Sequence, residues 1–393
     1  MKERIKKIAE EYFNECVEIR RHLHENPELS YQEHKTSEYI KDELKKIGIP
    51  YKDGYVNTGI VGTITCKNPD YKTIALRADM DALPVRETNI LAYKSKNEGV
   101  MHACGHDLHV ASLIGTAKIL YRIKNELKGN ILLVFQPAEE KLPGGAIQML
   151  EEGAFDDQKP DLFLAQHVLP GLKAGKIGLK EGKYMASVDE IFLTVKGKGG
   201  HAAMPHQLID PILITSHIIT SLQQIVSRHV YAGIPSVLSF GKIDAPGATN
   251  IIPSEVKIEG TFRTMDELWR KEAHNKIAQM STSIAEGMGG KCDVNIKNGY
   301  PALINNNDKT KEVHSLAATF LGQENVENID FEMTSEDFAY FSQRFPSVFY
   351  RLGIMDDKET IIEPLHSPAF NLDEKAIYTG MSTMAYIVAG LMS

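Results

Sequence analysis

At 393 residues the chain exceeds what one hydrophobic core ordinarily serves, so two domains are expected. It is 42% hydrophobic and 24% charged, as globular proteins are, and its net charge of −8 argues against nucleic acid or an anionic membrane as the main partner. No apolar run reaches the roughly 18 residues that span a bilayer. Cys16, Cys66, Cys104 and Cys292 are too scattered for a disulfide framework, which points to a reducing cytoplasm.

The first 21 residues are charged throughout and lack the apolar core of a signal peptide. Ile5, Ile8, Tyr12, Cys16, Ile19 and Leu23 share one helical face there. The apolar runs "TIALRADMDALP" (73–84), "NILLVFQPAEE" (130–140) and "LFLAQHVLP" (162–170) each read as a buried strand ending in polar residues. A helical stretch, "HVASLIGTAKILYRIKNEL", separates the first two, and the alternation implies an α/β domain with a mostly parallel sheet. The pattern then changes. "EIFLTVKGK" (190–198), "SVLSFGKIDA" (236–245), "EVKIEGTFRT" (255–264) and "KCDVNIKNG" (291–299) read as strands.

Two helices punctuate those strands. One starts at Asp210 as N-cap with Pro211 after it; the other starts at the capping-box spacing Thr264-Met265-Asp266-Glu267 and stops at Gly289-Gly290. This β-α-β-β-α-β order is ferredoxin-like, so residues 187–298 are expected to be a small α+β domain inserted between catalytic-domain segments 1–186 and 299–393. Beyond it, "SVFYRLG" (347–353) is a further core strand, and a loop carrying His366 leads into a closing amphipathic helix.

Parallel sheets present functional residues beyond the carboxyl ends of their strands. Here those ends carry Asp79 and Asp81, Glu139 and Glu140, and His167, joined by "MHACGHD" (101–107) and by His366. Alone, Cys104 reads as a small buried residue and His109, three residues past His106, as a local contact. His22 and His24 read as ordinary, partly exposed histidines, and Glu139-Glu140 as a pair that follows an apolar strand. Gathered at one sheet edge, these carboxylates, imidazoles and thiol need a cation, and Zn²⁺ suits a Cys, His and Glu set. A nucleophilic cysteine is the weaker reading, because it would need one base rather than several ligands.

The motifs "HENPELS", "LRADMDALP", "MHACGHD", "FQPAEE", "GKGGHAAMPH", "NIIP", "TSEDF" and "LHSP" run nearly from end to end. Together they resemble the M20 metallopeptidase and amidohydrolase family, in its aminoacylase, hippurate hydrolase and carboxypeptidase-like branch. The resemblance implies a zinc-peptidase-like catalytic domain with an inserted lid or dimerisation domain. It also implies two divalent ions per subunit, zinc first, with manganese, cobalt or nickel as substitutes.

Carried onto this chain, the ligands would be Cys104, His106, Glu140, His167 and His366, with Cys104 bridging and Asp81 orienting ligands from behind. Glu139 would be the general base, His201 would stabilise the oxyanion, and Asn250 and Arg263 would hold a substrate carboxylate. Two departures stand out: the bulky "HAAMP" after the lid histidine, and Gln166 where glycine is common. The implied reaction is hydrolysis of N-acyl-L-amino acids by a homodimer, or a dimer-based oligomer, formed through the inserted domain. Carboxypeptidase action on short or N-blocked peptides and N-acetyl-diaminopimelate deacetylation are the alternatives. A non-catalytic metal-binding protein is disfavoured by the intact Glu139.

Overall fold

The computed structural model describes residues 1–356 and 363–393. The chain divides into two compact units: Met1–Gly182 with Ile304–Asp330 and Asp337–Ser393, and Lys183–Leu303 with Phe331–Glu336. The segment 187–298 falls inside the second unit, which also takes the short stretch 331–336 that no compositional change sets apart.

The first unit is built on an eight-stranded sheet. In spatial order its strands are Tyr51–Tyr55, Gly59–Thr65, Asn130–Gln136, Thr73–Asp79, Leu162–Lys173, Ser347–Met355, Ile177–Leu179 and Val326–Asn328. The four central strands are mutually parallel, whereas Gly59–Thr65 and Tyr51–Tyr55 continue one side antiparallel. Every residue of Thr73–Asp79 and of Asn130–Gln136 is buried, the continuous apolar pattern of a strand covered on both faces. The reading of 73–84 as one strand is thus too long: the strand stops at Asp79, and Asp81 lies in the segment beyond.

The helix His106–Ile123 is buried along nearly its whole length and packs against both Lys2–Glu25 and Lys375–Leu391. Ile5, Ile8, Cys16, Ile19 and Leu23 of the first helix face the core as the 3.6-residue period requires. Truncating any one of these isoleucines, or Leu23, to alanine would cost about 2–5 kcal/mol. The departure at Gln166 has a packing role here. Its buried amide donates to Ser112 Oγ at 2.6 Å and accepts from the Tyr350 hydroxyl at 3.1 Å, tying helix to strand.

The second unit carries an antiparallel four-stranded sheet, ordered Ser236–Asp244, Glu255–Thr264, Asp189–Lys196, Lys291–Asn298. The helices Pro211–Leu222 and Glu267–Gly287 complete the β-α-β-β-α-β order. Asp210 caps the first by accepting from the backbone N–H groups of Ile212 and Leu213. The second helix is capped by Asp266 rather than Thr264, because the Asp266 carboxylate accepts from Leu268 and Trp269. Thr264 is still strand there, its hydroxyl paired with Ser236 Oγ at 3.0 Å.

Candidate metal centre

In the first unit the loop before helix His106–Ile123 turns at Gly105, whose φ is +81°. A Cβ at that position would come within 2.8 Å of Val168 Cγ2, so both the turn and the close approach require glycine. The consequence is positional: Cys104 ends the loop and His106 begins the helix, one residue apart on either side of the turn.

Hydrogen bonds then settle which ring nitrogen each histidine leaves available. His106 Nδ1 donates to the Asp81 carbonyl at 2.9 Å, and His167 Nδ1 donates to the Val168 carbonyl at 2.9 Å. With Nδ1 engaged, each ring turns Nε2 toward the site as the nitrogen that would meet a metal once any proton there is given up. His109 is different. The Val168 N–H donates to its Nε2 at 3.0 Å, so Nδ1 carries the proton and donates to Asp79 Oδ1 at 2.6 Å. With both nitrogens engaged, His109 is a local contact, as its place in the sequence suggests. Asp79 is also fully engaged, since Arg77 Nη1 donates to its other oxygen at 2.6 Å.

Some capacity is left over. His106 Nε2 is buried without a hydrogen bond, and so is Glu140 Oε1, 3.9 Å away, although His366 Nε2 stands 3.2 Å from that oxygen. Cys104 Sγ joins His106 and Glu140 in a group whose donor atoms lie within 4.8 Å of one another, and His167 Nε2 is 3.5 Å from the sulfur. The structure thus brings together Cys104, His106, Glu140, His167 and His366, four of them buried or nearly so and His366 half exposed.

The electrostatics are those of a site short of positive charge. Burial, and then the carboxylates Glu140, Glu139 and Asp79, push the Cys104 thiol well above its usual range. Burial alone would lower the His106 ring, but Asp79, Asp81 and Glu140 outweigh it and raise the ring to about 10. A buried acceptor cluster of this kind is satisfied by a cation with open coordination positions. Sulfur, imidazole nitrogen and carboxylate oxygen form a donor set suited to zinc-like divalent ions, so the residues present fit such a metal.

Behind the donors, Asp81 is fully buried and holds two things at once. Its carboxylate accepts the backbone N–H of Glu139 at 3.1 Å and of Glu140 at 3.0 Å, together with the Ser30 hydroxyl at 2.6 Å; its carbonyl orients His106. Glu139 and Glu140 are not in an extended segment as the strand reading implies. The strand ends at Gln136 and Ala138 takes a left-handed φ of +54°, so the two glutamates sit on a bend instead of continuing the strand.

His24 also departs from expectation: it is 1% exposed, not partly exposed. Its Nδ1 lies 2.9 Å from Asp107 Oδ2 and its Nε2 3.2 Å from Glu87 Oε1, while Arg20 Nε donates to the same Asp107 oxygen at 3.0 Å. Arg20 and His24 are spaced i, i+4, so they share a helix face and meet one carboxylate. Burial would raise the Asp107 carboxyl, but Arg20 and His24 outweigh it and hold it well below the usual carboxylate range. The network anchors the first turn of the helix that begins with His106. The i, i+4 spacing of Arg20 and His24 is the signal that could have found it. His22 is exposed and stacks on Tyr39 at 4.1 Å.

In the second unit His201 and Asn250 are neighbours. The strand Gly200–His201 pairs with Ile251–Ile252, and the Ala202 N–H donates to the Asn250 carbonyl at 3.0 Å. The Ala203 N–H donates to His201 Nδ1 at 3.1 Å, which leaves Nε2–H as a donor on an exposed side chain. Arg263 is half-buried in the strand Glu255–Thr264 and donates through Nη1 to the Met333 carbonyl at 3.0 Å. Burial lowers its guanidinium from the usual range.

The profile of peptidase family M20/M25/M40 matches residues 75–390. A thermostable carboxypeptidase 2 from Saccharolobus solfataricus is 38% identical over 96% of this chain and 95% of its own. An N-acyl-L-amino acid amidohydrolase from Geobacillus stearothermophilus is 41% identical over 77% of this chain and 81% of its own. Among solved structures, the Bacillus subtilis YXEP protein, a dinuclear metal-binding peptidase of family M20, superposes with a TM-score of 0.83. It is 33% identical, with 98% of this chain and 99% of that one covered.

Proposed function

Because the chain belongs to peptidase family M20/M25/M40 and is a metal-dependent amidohydrolase or peptidase, we propose that its substrates are N-acyl-L-amino acids. The substrate class follows the Geobacillus relative's name, and one observation carries the hydrolytic chemistry: an incompletely satisfied donor set of Cys104, His106 and Glu140 stands beside Glu139 on a bend held by Asp81. Cys104, His106, Glu140, His167 and His366 would hold two divalent ions, zinc first. Such ions supply Lewis acidity toward a carbonyl and lower the pKa of water toward neutrality.

The chain's own groups do the rest. Glu139 takes a proton from the attacking water and returns it to the departing amine nitrogen. His201 donates from Nε2 to the developing oxyanion, its Nδ1 being engaged by Ala203 N–H. Arg263 and Asn250 hold the substrate's free carboxylate. Asp81 keeps the His106 ring and the Glu139-Glu140 bend in register. A pure metal-binding protein would have no use for Glu139.

We further propose a cytoplasmic homodimer. All four cysteines are unpaired and buried, and no described helix is long and apolar enough to cross a membrane. The strand Ser236–Asp244 ends the small sheet with one edge unpaired and Ile243 56% exposed, a surface suited to adding a strand from a second copy. Carboxypeptidase action on short or N-blocked peptides is the second reading, favoured by the Saccharolobus relative's name.

The test is a panel of N-acetyl and N-benzoyl amino acids and blocked dipeptides, run on chelator-treated protein reloaded with Zn²⁺, Mn²⁺, Co²⁺ or Ni²⁺. Metal-dependent release of free amino acid from the acyl compounds is expected. Cleavage confined to blocked dipeptides selects the carboxypeptidase reading. Full activity in protein shown by elemental analysis to be metal-free overturns both.

A further inference from the structure

Resting on the assignment of Glu139 as base and Glu140 as ligand, we infer that Glu33 is a positioning residue that fixes the Ala138–Glu140 bend. Glu33 is fully buried, and no step of the reaction above uses it. Its Oε1 accepts two backbone N–H groups, from Tyr31 at 3.0 Å and from Ala138 at 2.9 Å. Its Oε2 accepts the hydroxyl of buried Thr58 at 3.0 Å.

The two residues tied to that one oxygen share an uncommon property. Tyr31 has φ +68° and Ala138 φ +54°, left-handed conformations that non-glycine residues adopt rarely and keep only where their surroundings impose them. The Ala138 carbonyl is engaged as well, accepting from Gly145 N–H at 3.0 Å. From the other side the Tyr31 hydroxyl accepts from Gln148 at 2.9 Å and donates to the Lys141 carbonyl at 3.3 Å.

Three successive backbone N–H groups are therefore received by two carboxylates: Ala138 by Glu33, and Glu139 and Glu140 by Asp81. Asp81 governs the two functional residues themselves; Glu33 governs the turn that leads into them. Without its clamp, Ala138 would relax toward right-handed or extended backbone and swing the following pair out of register. Burial, and then the nearby Asp81, raise the Glu33 carboxyl to about 7, and the clamp tolerates either protonation state because its N–H partners need only an oxygen acceptor. A glutamine should therefore replace it: the amide oxygen accepts both N–H groups and the amide nitrogen donates to a reoriented Thr58 hydroxyl.

The experiment measures metal affinity by competition with a chromophoric chelator, and kcat and KM at saturating metal, for Glu33→Gln, Glu33→Ala and Glu33→Ala/Ala138→Gly. Glu33→Gln should stay within about threefold of the parent. In folded Glu33→Ala, metal affinity and kcat should each fall about 10- to 100-fold, the usual effect of removing a supporting partner behind a site, while KM moves little. Adding Ala138→Gly should recover part of both losses, since glycine adopts positive φ without steric penalty.

A merely structural glutamate would lower thermal stability and leave metal affinity and kcat of the folded, loaded enzyme unchanged; that result overturns the inference. So does a loss in Glu33→Gln as large as in Glu33→Ala. If Glu33→Ala does not fold, Glu33→Asp carries the test, because its carboxylate is withdrawn by one methylene, and unchanged affinity and kcat there overturn the inference too. The functional assignment fails separately: Glu139→Gln with full turnover sinks it whatever the Glu33 variants do.

Discussion

Both units bury dense groups of ionisable side chains, and the candidate metal centre of the first is opposite in kind to the Asp189 cluster of the second. In the second unit Asp189 is fully buried, yet its carboxylate is saturated. Arg270 Nε donates to it at 2.9 Å and Arg270 Nη2 to its other oxygen, with His274 Nε2 at 2.7 Å and Gly299 N–H at 3.2 Å. Arg270 is satisfied in turn by Glu267 and by the carbonyls of Val188 and Gly299. In the first unit the carboxylates outnumber their donors, and His106 Nε2 and Glu140 Oε1 are left over. Burial of charge alone therefore does not mark a functional site. Unspent coordination does, because a satisfied cluster has nothing left to offer a ligand.

Four experiments would break or sharpen that contrast. The largest effect is expected at the base. Glu139→Gln preserves shape and removes proton acceptance, so kcat should drop by about 10²- to 10⁴-fold while metal stoichiometry stays near normal. Loss of metal in that variant, with Glu140→Gln keeping metal but failing to turn over, would show the two roles reversed.

Next comes the saturated cluster, where the effect should appear in stability and not in metal content. Asp189→Ala strands Arg270 and should cost about 3–5 kcal/mol in urea unfolding. Its pH dependence has a definite sign. Burial would raise the Asp189 carboxyl, but His274 and Arg270 outweigh it and hold it below the usual range. The unfolded chain then binds this proton more readily than the folded one. The stabilisation is fully present above the ordinary carboxylate value of about 3.9 and is lost as pH falls through the lowered folded-state value. Urea midpoints measured from neutral pH down to acid should converge for parent and variant at the acid end; parallel curves would refute the assignment.

A smaller effect belongs to Asp81→Asn. One amide oxygen can still accept, but the other backbone N–H loses its partner. Metal affinity, read by chelator competition, should weaken about 10- to 100-fold with the fold intact. The smallest effect is a control at a residue given no part in metal or substrate binding. Asp266→Ala removes a helix cap and should cost about 1 kcal/mol in thermal or urea unfolding, with kcat unchanged.

The contrast also explains what could be read from the sequence. Strand ends rich in Asp, Glu and His sit after continuous apolar runs, so the donors of the first unit were legible as a set from periodicity and motif alone. Arg270 and His274 are spaced i, i+4 on one helix, but Asp189 lies about eighty residues upstream on a strand with no shared motif, and nothing in the order announces that it is their partner. The bend at Ala138 was hidden for a related reason: "FQPAEE" reads as a strand running into its own polar end. Its left-handed turn is imposed by a carboxylate roughly a hundred residues upstream in the chain. His24 was misjudged because its partners, Asp107 and Glu87, are distant in sequence and become neighbours only when the sheet and helices pack. Caps were half legible, since Asp210 and Asp266 both precede helices, but choosing between Thr264 and Asp266 needs to know where the strand ends.

The uneven exposure of the proposed ligands sets an order of events in time. Cys104, His106 and His167 are sealed in the interior, whereas the His366 side chain is 53% exposed and is carried on a loop whose φ at that residue is +66°. Water and competing chelators can reach His366 but not the buried donors, so an ion held here would be displaced by way of His366. His366 is then the latch on exchange. Its replacement by alanine should speed the escape of bound metal into excess chelator more than it weakens equilibrium affinity, so residence time and tightness of binding would be governed by different residues of one centre.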